Sequence, residues 1–294
     1  MTISASRTQN RPIRALVPAE FLKELSAELA SGDIQLPSFP EVAQRVQRAL
    51  EDSRTTSAKV ARVIGIDAAL AVRVLQLANS AFLNPSSKPT TELQQAVNRL
   101  GHQLIRCTAV SFALQQMTKS IDAVLRPQLH ELWRQGALVA SIANVLARET
   151  GAANADEALV AGLMHNIGSL YIIVRAHEHG ATLGTDDAAI RQLERGHPRI
   201  AGAILRHWRF APAIVSAVSS QSGTDLPTED SGRLTDVLIA AISLVPCVYD
   251  RELLDDTVTA IAPFKRLALD ADGCERLLHT TAEQIKSLQS ALVG

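Results

Sequence analysis

The sequence is short of aromatic residues and of paired cysteines, and both shortages restrict the fold. Aromatic residues make up 3% of the 294 residues, although 47% are hydrophobic. The apolar surface therefore comes mainly from Ala, Leu, Val and Ile, which favours helices packed on helices. The three cysteines, Cys107, Cys247 and Cys274, form no CxxC pair, which argues against a disulfide framework and against a cysteine-ligated zinc. We therefore expect free thiols in a protein of the reducing cytoplasm.

The chain also lacks a large net charge and any export signal. The formal net charge of −1 provides no overall field that would draw the protein onto nucleic acid or an anionic membrane. The first residues contain three arginines but no apolar core of the kind that a secretion signal needs. No uncharged apolar stretch is expected to be long enough to span a bilayer. These absences predict a soluble protein with no membrane partner.

Helical periodicity runs along the chain instead, without the alternating pattern that is typical of strands. Asp67 and Asn154 are placed to cap helices at their N-termini, and Gly101 is placed to end one. Thr91 and Gln94 have the spacing of a capping box. The whole pattern predicts an all-α fold. Its later helices are expected at about 168–178, 186–195, 198–208, 212–220, 233–249, 257–269 and 280–292.

Six stretches of the chain carry a family resemblance. They read LPSFPEVAQRV, IDAALAVRVLQLANSAFLNP, TTELQQAVNRLGHQLIR, LWRQGALVASIANVLA, EALVAGLMHNIGSLY and GHPRIAGAILRHWRF. In this order they resemble the successive motifs of the HDOD domain, a helical relative of the HD-type metal phosphohydrolases, across residues 20–215. The resemblance implies a bacterial signalling or regulatory protein of which catalysis is not expected. Pro37, Pro40, Asn79 and Ser80 stand at motif positions.

Composition and resemblance together predict how the chain is divided. Residues 1–16 are polar and without periodicity, which predicts a flexible tail. The resemblance implies an N-terminal HDOD helical bundle at 17–120, packed on a degenerate HD-like helical core at 121–222. A polar, acidic linker at 219–233 is then expected to lead to a C-terminal helical cap at 233–294.

A metal centre of the HD type needs several imidazole and oxygen donors, because one or two cannot lower the pKa of a bound water enough to make hydroxide. By the resemblance, Gln135 stands where the first histidine ligand is expected, and an amide is a poor donor to a transition metal. His165 is followed by Asn166 in place of aspartate, which removes a negative charge. His165 can also be a helix-end histidine bonded to Asn166 or to a backbone carbonyl.

Most of the remaining ligand positions are also occupied by residues that cannot bind a metal ion. His197 of HPRIAG fits the HPxxG stretch of the related HD-GYP phosphodiesterases, but residues 219–221, Ser-Ser-Gln, occupy the positions of their later paired histidines. The closing aspartate falls on Ile242, and Asp236, about one and a half turns earlier, belongs to a different helix face. Only His165 and His197 survive. The resemblance therefore predicts a vestigial site with no catalytic residue, no metal and no cofactor.

Some of these residues also have a plain structural interpretation. Asn79 and Ser80 follow a buried helix face and precede a loop, where such side chains commonly satisfy helix-terminal backbone groups. Asn79 and Ser80 can therefore have a structural role or belong to a surface that contacts a partner. Trp133 and Trp208 lie at apolar spacings and are expected to anchor the core or a domain interface.

The leading hypothesis is a non-catalytic signalling scaffold whose partner is another signalling protein, with a small-molecule or nucleotide ligand left open. The first alternative is a divergent metal-dependent phosphohydrolase or phosphodiesterase that uses His165, His197 and a recruited carboxylate. The third is a nucleotide- or nucleic-acid-binding regulator. Its contacts would be the arginines Arg191, Arg195, Arg199 and Arg206, for which a solvated helix face is the plain alternative.

Overall fold

The structure, a computed structural model, is helical wherever it shows a regular element. It describes residues 24, 27–28, 31, 41–52, 54–80, 83–84, 88–118, 126–178, 187–222, 233–280, 282 and 286. Within these ranges every regular element is a helix and none is a strand, which confirms the predicted all-α fold. The predicted tail at 1–16 and the motif positions Pro37 and Pro40 lie outside the described residues.

From residue 41 to residue 118 the described chain contains four helices, α1 (Glu41–Glu51), α2 (Ser57–Ile64), α3 (Ala68–Ala78) and α4 (Leu93–Thr118). Asp67 caps α3 as predicted, because its carboxylate accepts a hydrogen bond from the backbone N–H of Leu70 at 2.9 Å. Gly101 has φ 70° and ψ 168°, a conformation that favours glycine. It ends the first helical segment of α4, as predicted, and a second segment follows across the kink.

The start of α4 differs from the prediction by one residue. Oγ1 of Thr90 accepts a hydrogen bond from the backbone N–H of Glu92 at 3.1 Å and donates one to Gln95 at 2.9 Å. The capping box predicted from Thr91 and Gln94 is therefore wrong. The side chain of Asn79, at the other end of the loop, hydrogen-bonds to the backbone of Thr90 and fixes its position. The spacing of residues in the sequence does not indicate this contact.

Five helices follow, α5 (Arg126–Thr150), α6 (Ala155–Met164), α7 (Ile167–Glu178), α8 (Asp187–His207) and α9 (Pro212–Ser219). α5 and α6 approach closely at Gly162, where a Cβ atom would lie 2.4 Å from Cα of Ala140. The two helices predicted at 186–195 and 198–208 are wrong, because α8 continues through Pro198. Proline removes one backbone donor, but Pro198 is buried, as are Ile200 and Ala201 just after it, and packing of this kind can offset the local cost of a proline.

The C-terminal part contains a 3₁₀ turn and four helices, α10 (Arg233–Tyr249), the turn (Arg251–Leu253), α11 (Leu254–Ala260), α12 (Ala262–Arg266) and α13 (Ala271–Thr280). α10 matches its prediction, whereas the single helix predicted at 257–269 is wrong in its bounds, and the helix predicted at 280–292 lies mostly outside the described residues. Ile261 is extended, and Pro263 starts a new helix in the first turn, where its missing N–H is not needed. The carboxylate of Asp270 accepts a hydrogen bond from Gly273 at 2.7 Å and so starts α13.

The buried segment Ala155–His177 corrects one expectation from the sequence. It is long and apolar enough to cross a membrane, but 89% of the relevant window is buried inside the protein, because it consists of the core helices α6 and α7. Trp208 is buried in the same core, as predicted. The three cysteines are buried and free, and burial raises the pKa of the Cys107 thiol to about 12, so that thiol stays protonated.

A buried arginine that the sequence did not point to joins α4 to the end of α8. Nη1 of Arg106 donates to the carbonyl oxygens of Trp208 at 2.6 Å and of Arg209 at 2.8 Å. Its guanidinium also lies 5.9 Å from the ring centroid of Phe210, within the range of a cation–π contact. Burial lowers the pKa of Arg106. This side chain holds the first helices of the described chain against the helices that carry the candidate site.

Candidate functional site

His165 lies between α6 and α7, where α6 ends, and its side chain is buried. Nδ1 lies 2.7 Å from the carbonyl oxygen of Gly162. A carbonyl can only accept, so Nδ1 carries the proton and Nε2 carries the lone pair. Burial lowers the pKa of His165 to about 4, although the bond to Gly162 acts in the opposite direction. The imidazole is therefore neutral at pH 7 and has the helix-end geometry that the sequence left open.

Asn166 is buried beside it and points toward α5. Its Nδ2 donates to the carbonyl oxygen of Leu132 at 2.6 Å. Gly136 packs beside this amide, since a Cβ atom on Gly136 would lie at an ordinary contact distance of 3.6 Å from Oδ1 of Asn166. An aspartate carboxylate has no proton to donate to the Leu132 carbonyl. The amide therefore holds α5 against the α6–α7 junction in a way that an ionised aspartate cannot.

His197 approaches His165 from α8. The helices α7 and α8 meet at Gly168, where a Cβ atom would lie 2.0 Å from the carbonyl oxygen of His197, so only glycine permits this approach. The side chain of His197 is half-buried, but its Nδ1 is buried and has no hydrogen-bond partner among the described residues. Burial, together with the nearby His165, lowers the pKa of His197 to about 3. The structure thus places the two surviving histidines near each other, and both are neutral.

The positions that replace other ligands are engaged in local hydrogen bonds. Nε2 of Gln135 donates to Glu131 at 3.1 Å, and Glu131 also pairs with Arg134 at 2.5 Å. Nε2 of Gln221 donates to the carbonyl oxygen of His165 at 2.7 Å. Gln221 therefore joins the end of α9 to the α6–α7 junction. The family resemblance placed Gln221 among the lost ligands, and nothing in the sequence indicated this contact.

The last predicted position is occupied by Ile242, which is half-buried and packs against the core. Asp236, one and a half turns earlier, is buried in an ion pair with Arg266 at 2.5 Å and 2.8 Å. This hydrogen-bonded pair raises the pKa of the Arg266 guanidinium. Asp236 therefore binds α10 to α12 and does not stand in as a ligand at the histidines.

The donor set does not fit a catalytic metal ion. A site that activates water usually holds its ion by three or more protein donors. In the ranges that the structure describes, no group of three or more His, Cys, Asp or Glu side chains is arranged to hold an ion. Two neutral imidazoles remain, and the amides around them are bonded to backbone or to neighbouring side chains.

The predicted arginine contacts lie on another face of α8. Arg195, Arg199 and Arg206 are exposed, and their spacing puts them within about 40° of one another around the helix axis. His197 lies about 200° from Arg195 by the same spacing, so it faces the opposite way. Arg191 belongs to the same helix. The structure therefore does not bring the arginines and the histidine pair into one site.

Asn79 and Ser80 close the loop between α3 and α4. Nδ2 of Asn79 donates to the carbonyl oxygen of Thr90 at 2.8 Å, and Oδ1 accepts from the N–H of Thr90 at 2.8 Å. Oγ of Ser80 donates to the carbonyl oxygen of Leu77 at 2.8 Å and accepts weakly from Leu83 at 3.4 Å. This geometry supports the structural interpretation of both residues.

Comparison with known families and sequences gives a consistent assignment. The model of the HDOD domain matches residues 36–223. An uncharacterized protein of Treponema pallidum (strain Nichols) is 24% identical over 280 residues, which cover 90% of this chain and 52% of that protein. The chain thus spans about half the length of this curated relative.

Solved structures share the same fold. A protein from Shewanella amazonensis SB2B, named as a candidate metal-dependent phosphohydrolase, superposes with a TM-score of 0.69 at 25% identity and covers 93% of this chain and 98% of its own. An HDOD domain protein of unknown function from Geobacter sulfurreducens gives a TM-score of 0.60 at 22% identity, over 93% and 97% of the two chains. A candidate signal transduction protein from Marinobacter aquaeolei VT8 gives 0.58 at 20% identity, over 94% and 66%.

Proposed function

Because this chain belongs to the HDOD domain family, we propose that it is a non-catalytic regulatory protein that acts through contacts with a partner. The partner is another signalling protein, and a small molecule or nucleotide is an additional ligand class that the proposal allows. The observation that carries the proposal is the hydrogen bond from Asn166 to the Leu132 carbonyl. At the place where HD enzymes have a metal-binding aspartate, this chain has a donor that holds two helices together.

The charge of the site supports this proposal. An HD-type centre stabilises a divalent ion with negative ligands, whereas His165 and His197 are neutral and Asn166 is an amide. The carboxylates of Glu131 and Asp236 are paired with Arg134 and Arg266. A group that already binds a guanidinium would have to break that pair before it could bind an ion.

An activity assay tests the proposal directly. The purified full chain is incubated with Mn²⁺, Fe²⁺ or Mg²⁺ and a panel of nucleotides that includes cyclic dinucleotides. We expect no turnover that depends on His165. The matched control is His130→Ala, which removes an exposed histidine of α5. Turnover that is lost in His165→Ala and kept in His130→Ala would overturn the non-catalytic function.

A second function is favoured by one observation, the similarity to the candidate metal-dependent phosphohydrolase from Shewanella amazonensis. In that case this chain is a divergent phosphohydrolase in which His165 and His197 act with a recruited carboxylate. Elemental analysis separates the two functions. A stoichiometric transition metal in protein purified without chelators supports the phosphohydrolase, and a metal content far below one per chain supports the regulatory protein.

A further inference from the structure

The end of α1 meets the end of α8 at the carboxylate of Glu51. Its Oε1 lies 3.3 Å from Nε of Arg209 and accepts a hydrogen bond from Nε2 of Gln47 at 3.0 Å. The same Gln47 amide lies 3.4 Å from the carbonyl oxygen of His207. Glu51 is the last residue of α1, where the helix dipole disfavours a negative charge. Its carboxylate therefore depends on a neighbouring cation.

Arg106 of α4 is a second cation at this corner, because its Nη1 donates to the backbone carbonyl oxygen of Arg209 at 2.8 Å. Arg106 is 7% exposed, whereas the side chain of Arg209 is 69% exposed. Burial lowers the pKa of Arg106, and the charge of Glu51 acts in the opposite direction. One carboxylate thus interacts with two arginines that differ widely in their exposure to water.

One hydrogen-bond donor of Arg106 is unused. Its Nε is buried and has no hydrogen-bond partner in the part of the chain that the structure describes. A buried donor without a partner is costly, and the cost is larger when the group is charged. Glu51 is the carboxylate whose charge acts on Arg106. It is therefore the natural acceptor for this donor.

Arg209 has a backbone conformation that is uncommon for a residue with a side chain. Its φ of 52° lies in the left-handed region, where a helix end usually has glycine. Other residues in this region are often found in switch regions, where surrounding contacts hold them. The N–H of Arg209 donates to the carbonyl oxygen of Arg206 at 2.9 Å, and its own carbonyl oxygen accepts from Arg106. The turn at Arg209 and the position of Arg106 are therefore coupled.

We propose that Glu51 makes a two-position contact, in which its carboxylate pairs with Arg209 in this structure and with Nε of Arg106 in a second state. In the second state the buried donor is satisfied, the end of α1 lies closer to α4, and the Arg209 guanidinium is released to solvent. Ionic strength shifts the balance, because salt screens an exposed ion pair more than a buried one. The contact thus links the surroundings of an exposed arginine to the position of α1.

The test follows the Nε–H signal of Arg106 by NMR in the ¹⁵N-labelled full-length protein. Arg209→Gln removes the present partner of Glu51 and keeps the backbone carbonyl that Arg106 binds. We expect the Arg106 signal to move downfield and to exchange with water about tenfold more slowly, as a hydrogen bond between charged groups implies. The matched control is Arg54→Gln, which removes an exposed arginine that lies 3.7 Å from Asp52. It should leave the Arg106 signal unchanged.

A double variant and a salt titration identify the acceptor and the two states. Glu51→Ala combined with Arg209→Gln removes the carboxylate, so the Arg106 signal should return to its wild-type position. A titration of the wild type from about 0.05 M to about 0.5 M NaCl needs no substitution and should move the signal downfield. The dispersion of the backbone amide signals checks that each variant is folded.

Three outcomes would overturn the proposal: an Arg106 signal that is unchanged in Arg209→Gln, a downfield shift that persists in the double variant, or a wild-type signal that does not respond to salt. The inference goes beyond the proposed regulatory function and does not rest on it. None of these measurements involves His165 or a metal ion, so the failure of either proposal leaves the other standing.

Discussion

Two parts of the molecule gather side-chain amides and use them differently. At the α6–α7 junction, Asn166 and Gln221 donate to backbone carbonyls of other segments, at 2.6 Å and 2.7 Å. In the open groove between α3 and α4, Gln76 and Gln116 line a cavity of about 520 Å³ together with Arg73. The first set is committed to holding helices together, whereas the second faces a volume that a ligand can fill. The surroundings of an amide therefore decide whether it holds helices together or faces an open cavity.

The largest expected effect comes from Asn166→Asp. The new carboxylate loses the bond to Leu132 and faces a carbonyl oxygen in a buried site, so we expect unfolding at pH 7 to become easier by about 3 kcal/mol. Urea unfolding measures this change. The matched control is Gln116→Glu in the groove, which should change stability by less than about 0.5 kcal/mol. Equal losses in the two variants would contradict the difference between the two regions.

The same variant has an expected pH dependence. Burial and the Leu132 carbonyl disfavour the charged form of the new aspartate, so its pKa in the folded protein is raised above the unfolded value of about 3.9. A raised acid pKa means that the folded state holds the proton more tightly, and stability falls as pH rises through this range. Relative to the wild type, Asn166→Asp should therefore recover stability on acidification.

The wild-type protein is expected to lose stability on acidification because of His165 and His197. Burial lowers the pKa of His165 to about 4 and that of His197 to about 3, whereas an unfolded histidine titrates near about 6.5. Between these values the unfolded state binds more protons, so stability is complete above the unfolded pKa and falls as pH drops below it. Each histidine contributes a slope of about 1.4 kcal/mol per pH unit.

Urea unfolding between about pH 6 and pH 5 measures this slope. His165→Gln should reduce it by about half, because one of the two contributing protons is removed. His130→Gln, at an exposed position, should leave it unchanged. If the free energy of unfolding has the same pH dependence in the wild type, His165→Gln and His130→Gln, the pKa of His165 is not lowered in the folded protein.

A smaller effect is expected for Gln221→Ala. The substitution removes the hydrogen bond to the His165 carbonyl, which should reduce the free energy of unfolding by about 1 kcal/mol. Gln116→Ala removes a side chain of the same size from the groove and should cost less than about 0.5 kcal/mol. Chemical denaturation of the two alanine variants side by side checks the difference. If Gln116→Ala lowered the free energy of unfolding more than Gln221→Ala, the groove amide would stabilise the fold more than the junction amide, contrary to expectation.

No effect at all is expected from removing divalent ions. The helices around His165 are joined by hydrogen bonds from Asn166 and Gln221. An ion that bound there would stabilise the folded state, and its removal would lower the melting temperature. The melting temperature should therefore stay within about 1 °C when EDTA is added. A fall of several degrees that Mn²⁺ reverses would show that an ion joins these helices.

The sequence predicted those features of the fold whose causes are local. Asp67 caps α3 through a residue three positions away, and the kink at Gly101 follows from the freedom of glycine itself. The path of α8 through Pro198 was missed, because packing from other helices overrides the local cost of a proline. The link from Arg106 to Trp208 spans 102 positions, and no short-range pattern reports such a contact.

The sequence also predicted only part of the candidate site: the positions of its residues, but not their hydrogen-bond partners. The resemblance located His165, Asn166 and His197, and the structure places these residues at one junction. The carbonyl partners of Asn166 and Gln221 could not be predicted, because they depend on how α5, α6 and α9 pack together. The roles assigned to these residues and the boundaries of the domains stay predictions.

Arg106 has a consequence for how the molecule melts. If the helices before residue 118 were to detach, this guanidinium would leave behind the two carbonyl oxygens that now accept its hydrogen bonds. Partial opening thus loses both of these hydrogen bonds between the two parts. Calorimetry should accordingly record one cooperative transition, with no intermediate in which either half survives alone.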